Sequence, residues 1–369
     1  MPSDELFART IDHYLAPIRP YLADTGVTEV MVNAPDEIYV ERDGRLELTD
    51  AKFADNELYE AAVNNILQFT GKSLADEETL VDARLPDGSR VHVAKAPCAR
   101  RGTAMSIRKF SKMMLDIDWL IELGSLTAEA RDFLKVAVVA EQNVLVAGGT
   151  SSGKTSLLNA LSSFIPEEER VVVIEDSAEL QLQKQHLVSL ESKPADAFGR
   201  GAVGVRELFR SSLRLRPDRI IIGEVRGGEA LDMIQAMTSG HGGSMGTLHA
   251  NTPADALNRL ETMALMSKVE LPLHALRSQI SSAIDLVVQM SRQIGGRRLV
   301  TQISEVLPLG DDGFYKLRDV FTLQQLDDEA GGKAMWLSWS GEPSVLAGRL
   351  DPEQARQASP AVRPVFGLA

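Results

Sequence analysis

Residues Gly148 to Thr155, GGTSSGKT, set glycines, a lysine and a hydroxyl at the spacing of a polyphosphate cradle. The apolar run NVLVA (Asn143 to Ala147) precedes them and SLLNAL follows, so the stretch stands between a strand and a helix, as a phosphate-binding loop requires. Glycines let the backbone curl until its N–H groups surround the phosphates at a helix N-terminus, where the dipole also favours negative charge. Gly148, Gly149, Thr150, Ser151, Ser152, Gly153, Lys154, Thr155 and Ser156 would form that cradle. Lys154 would reach the β- and γ-phosphates and the Thr155 hydroxyl would ligate Mg²⁺. A nucleotide with Mg²⁺ is the expected ligand pair, and the chain has no Asn-Lys-x-Asp guanine-selecting motif.

Hydrolysis needs an acid at a neighbouring strand end to hold Mg²⁺ through water, and one to polarise the attacking water. Two places offer one. Glu175-Asp176 follows VVVI, with Glu179 further on, and Glu224 follows RIIIG. Acids at strand ends also serve solubility alone, but two such strands after one phosphate loop make coincidence the weaker account. In VRELFRSSLRLR, helical spacing puts Arg206, Arg210 and Arg214 on one face with Arg216 just beyond. That stripe faces phosphate, a neighbouring subunit's acids, or only water. GHGGSMGTLHAN, Gly240 to Asn251, places His241 and His249 eight residues apart among four glycines. No carboxylate or cysteine lies between them, which disfavours a metal site. The glycines by themselves say that the backbone bends or approaches something closely.

These groups need a rigid frame, and the patterning describes one. From about 125 to about 310, helices alternate with short apolar strands, the mark of a parallel sheet with crossover helices. Asn143 to Ala147, Val171 to Ile174 and Arg219 to Ile222 are its clearest strands. Thr252 and Pro253 open a helix as N-cap and first residue. Leu286 to Met290 and Arg297 to Val306 read as a hairpin around Gly295-Gly296. Residues 1 to 112 read as a smaller mixed α+β domain. It contains an Ile38 to Thr49 hairpin turning at Asp43-Gly44, a helix over about 56 to 70, and a turn at Pro86-Asp87-Gly88. Val91 and Val93 alternate with Arg90 and His92, and Met105 and Ile107 with Ser106 and Arg108. Arg90 and Arg108 thus lie on non-core faces, where they meet an anion or simply water. Residues 113 to 124 form a linker, and 311 to 369 a C-terminal extension with a strand pair and an irregular tail.

Composition excludes several classes. With 39 Lys plus Arg against 52 Asp plus Glu, the net charge of -13 repels a phosphate backbone, so no stable nucleic-acid binding is expected. No apolar run approaches the ~20 residues of a transmembrane segment. The N-terminus lacks a signal peptide's apolar core. Cys98 is the only cysteine, which excludes an intrachain disulfide and fits a reducing compartment.

With the four stretches in this order, the sequence resembles the secretion-superfamily traffic ATPases, ring-forming motors of type II and type IV secretion and pilus assembly. Their Walker A loop, Asp box, Walker B and His box look like GGTSSGKT, VVVIEDSAEL, RPDRIIIGEVRGGEALDM and SGHGGSMGTLHAN. Within that superfamily, ALSSFIPEEERVVVIEDSAELQL and GEVRGGEALDMIQAMTSGHGGSMGTLHANTPADALNRLETM look like the CpaF-type ATPases of tight-adherence (Tad) pili. The likeness runs from about residue 20 to about 325.

The resemblance implies an α/β fold, a RecA-like P-loop NTPase domain with a smaller mixed α+β N-terminal domain, assembled as a homo-hexamer, and makes the expected ligand pair ATP and Mg²⁺. Glu224 matches the catalytic glutamate, and Glu175 the Asp-box glutamate that supports magnesium and water. Arg90 and Arg108 match the region that reaches the nucleotide phosphates. His241 and His249 match a γ-phosphate sensor that would hydrogen-bond near the nucleotide or across the subunit interface, with Arg206 and Arg210 as further coupling candidates. Thr150-Ser151-Ser152 stands where relatives often have Thr-Gly-Ser, a swap that stiffens the loop. The implied protein is a cytoplasmic ATPase at the inner-membrane face that powers Tad pilus assembly through a platform protein. The alternatives are a type IV secretion or conjugation ATPase, a nucleic-acid-dependent RecA-like translocase, and a nucleotide switch without turnover.

Overall fold

The computed structural model describes residues 10, 13–42, 44–69, 79–110, 116–195, 199–327, 333–350, 354 and 358–368. The chain divides into two compact units, Met1–Met114 and Leu115–Ala369.

In the first unit, α1 (Arg19–Ala23) leads into β1 (Val27–Ala34), β2 (Glu37–Arg42) and β3 (Arg45–Leu48). Then come α2 (Asn56–Phe69), β4 (Leu80–Arg84), β5 (Arg90–Ala94) and β6 (Ala104–Arg108). The strands form one antiparallel sheet in the order β3-β2-β1-β6-β5-β4. Two-residue alternation sorts the faces. Val91, Val93, Met105 and Ile107 share a buried core with Tyr59, Val63 and Ile66 of α2, leaving Arg90 and Arg108 on the opposite face. The Ile38 to Thr49 hairpin forms with Arg42 opposite Arg45, while Asp43 lies outside the described residues. At the β4–β5 turn, Gly88 takes φ +93°, and Asp87 accepts the Ser89 N–H at 2.9 Å.

The second unit opens with α3 (Ile117–Glu122) and α4 (Ala128–Val139). Strands and helices then alternate: β7 (Val144–Gly148), α5 (Lys154–Ser162), β8 (Val171–Glu175), β9 (Leu187–Glu191), α6 (Val205–Ser212), β10 (Arg219–Ile222), α7 (Glu229–Met237) and β11 (Met245–His249). After α8 (Pro253–Leu265) and α9 (Leu273–Ala283), the chain ends in β12 (Leu286–Arg292), β13 (Arg298–Leu307), β14 (Lys316–Asp327), β15 (Lys333–Trp339) and short turns. The sheet order is β15-β14-β13-β12-β7-β11-β10-β8-β9. Strands β12 through β9 in that order run parallel, and β13 to β15 add on antiparallel.

Helices cover both faces of the parallel part, which is why β7, β8 and β10 are apolar along most of their length and fully buried. Val144 and Val146 enter one core, and Leu145 and Ala147 the other. This is the expected parallel α/β layer accompanied by a smaller mixed α+β unit. Thr252 caps α8 as expected, its hydroxyl accepting the Asp255 N–H at 3.1 Å.

Two expected boundaries look different in the structure. Residues 117–122 of the expected linker form α3, which is capped by Asp116 and buries Ile117 and Leu120 in a core of the second unit. Past 310 the main sheet continues, with Leu307 opposite Lys316 and Gln302 opposite Thr322. The fully buried Glu305 accepts from Arg318 at 3.0 Å and from the Val345 N–H at 3.1 Å, tying the C-terminal segment to the sheet. An alternating, charge-bearing strand such as β14 has no apolar run to announce it.

Candidate nucleotide site

Because β7, β11, β10 and β8 are parallel and in register, the loops that leave their carboxyl ends gather at one edge of the sheet. His249 stands opposite Gly148, Gly246 opposite Ile222, and Ile222 opposite Ile174. The carboxyl ends of such strands form the crevice where α/β sheets bind ligands. The phosphate loop, Glu175, Glu224 and His249 all lie along it.

In the loop, a Cβ on Gly148 would fall 2.4 Å from Ser152 Oγ and 2.7 Å from the Met290 carbonyl, so only glycine fits. Ser152 Oγ donates to the Gly149 carbonyl at 2.9 Å. Gly153 turns into α5 at φ +96°, and Ser151 takes φ +56°, a left-handed shape that costs an L-residue about 1–2 kcal/mol. Arg298 Nε donates to the Ser151 carbonyl at 3.0 Å. A hydrogen bond from a charged donor contributes about 1.5–3 kcal/mol, enough to offset that strain. Lys154 is buried, and its ammonium donates to the carbonyls of Gly149 and Gly148 at 2.8 and 3.1 Å.

The acids divide the work. Glu175 is buried at the end of β8, and its Oε1 accepts the N–H groups of Glu179 and Leu180 at 2.9 and 3.0 Å. A Cβ on Gly223 would come within 2.8 Å of Glu175 Cγ, so that glycine lets the end of β10 pass close to Glu175. Thr155 Oγ1 donates to Glu179 Oε2 at 3.3 Å. The carboxylate beside the proposed magnesium-ligating hydroxyl is therefore Glu179, a residue the motif named but gave no role. These groups fit a magnesium–nucleotide pair: a helix N-terminus, a buried lysine folded onto the loop, a hydroxyl and two acids.

Glu224, two residues past β10, is held on both oxygens. His249 Nε2 lies 2.9 Å from Oε1, and Arg226 Nη2 donates to Oε2 at 2.7 Å. Arg226 Nη1 reaches Asp176 at 3.3 Å. Burial holds His249 below the usual histidine range, reinforced by Lys154, Arg259 and Arg226 and opposed by Glu224. A neutral imidazole thus donates its Nε2–H to Glu224. Thr247 Oγ1 donates to the Gly223 carbonyl at 2.6 Å and steadies the turn before Glu224.

His241 is elsewhere. It precedes β11, so it stands at the opposite end of a strand about 13 Å long, away from the phosphate loop. There a Cβ on Gly243 would land 1.5 Å from Arg219 Nη1. Arg219 is buried and paired with Glu169, Nη2 to Oε1 at 3.0 Å, and donates to the Val138 carbonyl at 3.1 Å. Arg206 and Arg210 are likewise drawn elsewhere, both to Asp232 of α7, with Nε distances of 2.6 and 2.9 Å. They join α6 to α7.

In the first unit, Arg90 and Arg108 are direct cross-strand partners, and Arg84 stands opposite Arg90. The row continues into Glu29 of β1, which stands opposite Arg108, so Arg108 lies between a like and an opposite charge. Arg84 was not singled out by its strand, although the turn centred on Asp87 already pairs it with Arg90. Arg226 and Arg298 carried no sequence signal beyond the motifs beside them.

The family model for type II/IV secretion system proteins matches residues 12–308. The type IV secretion system protein PtlH of Bordetella pertussis is 35% identical over 323 residues, covering 80% of this chain and 94% of the relative. The conjugal transfer protein TrbB of Rhizobium radiobacter is 31% identical over 281 residues, covering 75% of this chain and 83% of the relative. Among solved structures, the Yersinia pseudotuberculosis ATPase DotB aligns with a TM-score of 0.57 at 19% identity, covering 83% of this chain and 79% of that one, a likeness of fold. The chain belongs to the family of type II/IV secretion system proteins.

Proposed function

We propose that this chain hydrolyses ATP and uses the energy to drive a type IV secretion or conjugation apparatus. The observation that carries hydrolysis is Glu224, fixed by His249 and Arg226 at the same sheet edge as the phosphate loop. Lys154 leaves the loop carbonyls to meet the β- and γ-phosphates, and the N-terminus of α5 favours their charge. Thr155 with Glu179 and Glu175 would hold Mg²⁺, directly or through water, and the bound ion neutralises phosphate charge. Glu224 orients and deprotonates the attacking water, while the neutral His249 keeps its carboxylate aimed. Arg90 and Arg108, in one cross-strand row of the first unit, would be its residues that meet phosphate. Six copies would form the working ring, cytoplasmic and held at the inner membrane through a platform protein. Among the described residues, no helix is long and apolar enough to cross a membrane.

The secretion and conjugation reading is supported by PtlH and TrbB, each more than 30% identical over three quarters or more of this chain. The Tad pilus reading is a second one, favoured by the Asp-box stretch and by the stretch from Walker B to the His box. Affinity capture from native membranes separates them. Recovery of a conjugation or secretion channel component supports the first, and recovery of a pilus platform protein supports the second. Turnover stimulated by single-stranded DNA and indifferent to membranes would replace both with a translocase.

A further inference from the structure

We propose that Arg298 is a positioning residue for the nucleotide, holding the phosphate loop in its left-handed shape from the side of the β12–β13 hairpin. The inference rests on the proposal that this loop binds nucleotide. β12 lies parallel beside β7 with Met290 opposite Gly148, so the hairpin begins against the first glycine of the loop. The chain turns through Gly295 and Gly296 and returns with Arg298 at the start of β13.

From there one side chain meets both unusual residues of the loop. Its Nε donates to the Ser151 carbonyl at 3.0 Å. Its Cδ lies 3.4 Å from where a Cβ on Gly153 would stand, and Met290 Cε lies 3.3 Å from the same point. Ser151 and Gly153 are the two positions between Gly148 and Lys154 with positive φ, +56° and +96°. Gly153 takes its angle freely. Ser151 does not, and a serine there needs an outside hold that a glycine would not. Arg298 supplies that hold, so the N–H groups ahead of α5 are arranged before any phosphate arrives.

Arg298→Met tests this because it keeps an unbranched stem against Gly153 and Met290 while removing the donor. Equilibrium titration with ADP, and steady-state KM and kcat for ATP, are measured for wild type, Arg298→Met, and Arg298→Met with Ser151→Gly. The expected result is an ADP Kd and an ATP KM raised about tenfold by Arg298→Met, with kcat at saturation and the nucleotide-free melting midpoint little changed. Adding Ser151→Gly should bring both constants back to within about threefold of wild type, because glycine adopts the left-handed angle unaided. Unchanged affinity in Arg298→Met would overturn the proposal, as would a loss that Ser151→Gly does not repair. A folded wild-type protein that takes up neither ADP nor ATP would overturn the nucleotide reading, and this inference with it.

Discussion

His241 and His249 belong to one glycine-rich stretch, yet they stand at the two ends of one strand, and the sheet gives those ends different work. At the carboxyl end, His249 is part-buried and its Nε2 lies 2.9 Å from Glu224. At the amino end, Gly243 lies flat against the buried Arg219–Glu169 pair, where no side chain fits. One end is tuned by charge and the other by packing. In a parallel sheet this division is general, because loops at the carboxyl ends gather around the crevice while those at the amino ends close the core. A motif that reads as one loop is therefore two sites, and a substitution at each should fail in its own way.

The largest effect belongs to the carboxyl end. Lys154→Ala removes the charge that faces the β- and γ-phosphates and should lower ATP turnover at least about a thousandfold, with the melting midpoint little altered. Near-normal turnover would refute the phosphate-loop assignment. At the amino end, Gly243→Ala forces a methyl group into the Arg219 guanidinium. Disrupting a buried ion pair costs about 3–5 kcal/mol, which in a unit of this size lowers the melting midpoint by on the order of 10 °C. ATP affinity of the remaining folded protein should be unchanged. A variant as stable as wild type would show that the loop has another path around Arg219.

His249→Ala is the finer test at the catalytic edge. Losing one hydrogen bond to a charged group should cost on the order of tenfold in turnover, with little change in stability and less in ATP affinity. A stability loss as large as that of Gly243→Ala would erase the contrast between the two ends. The smallest effect is on pH dependence. Burial holds His249 below its ordinary value of 6.5 in the folded protein, so the unfolded chain binds the proton first as the pH falls. Its contribution to stability is complete above about pH 6.5 and declines as the pH drops below it. The fall in urea midpoint from about pH 7.5 to about pH 5.5 should therefore be larger in wild type than in His249→Gln. Equal falls in the two proteins would mean that His249 titrates as it does in the unfolded chain.

Much of this arrangement is legible in the chain itself, and what is not has a physical cause. The strands of the parallel sheet are short apolar runs because both of their faces are covered, so NVLVA, VVVI and RIII announce themselves. β14 and β15 alternate and carry charge, so their place in the same sheet is hidden. At the site, the phosphate loop is written by glycine and lysine spacing, since backbone curvature and a fixed charge demand those types. Spacing does not say which end of a strand a residue occupies, and this separates His241 from His249. Nor does it give partners: Asp232 takes Arg206 and Arg210, and Arg298 reaches Ser151 across 147 residues of sequence. Glu175 and Glu179 are four residues apart, and the structure gives the neighbour of Thr155 as Glu179.

If the carboxyl ends of β7, β8, β10 and β11 form an ATP-hydrolysing site with Glu224 as its base, Glu224→Gln must separate binding from turnover. Its steady-state ATP turnover, measured beside its equilibrium affinity for ATP, is the decisive quantity. Affinity should stay close to wild type while turnover falls at least about a hundredfold. Undiminished turnover in a variant that binds ATP normally would contradict the assignment of Glu224 as the base.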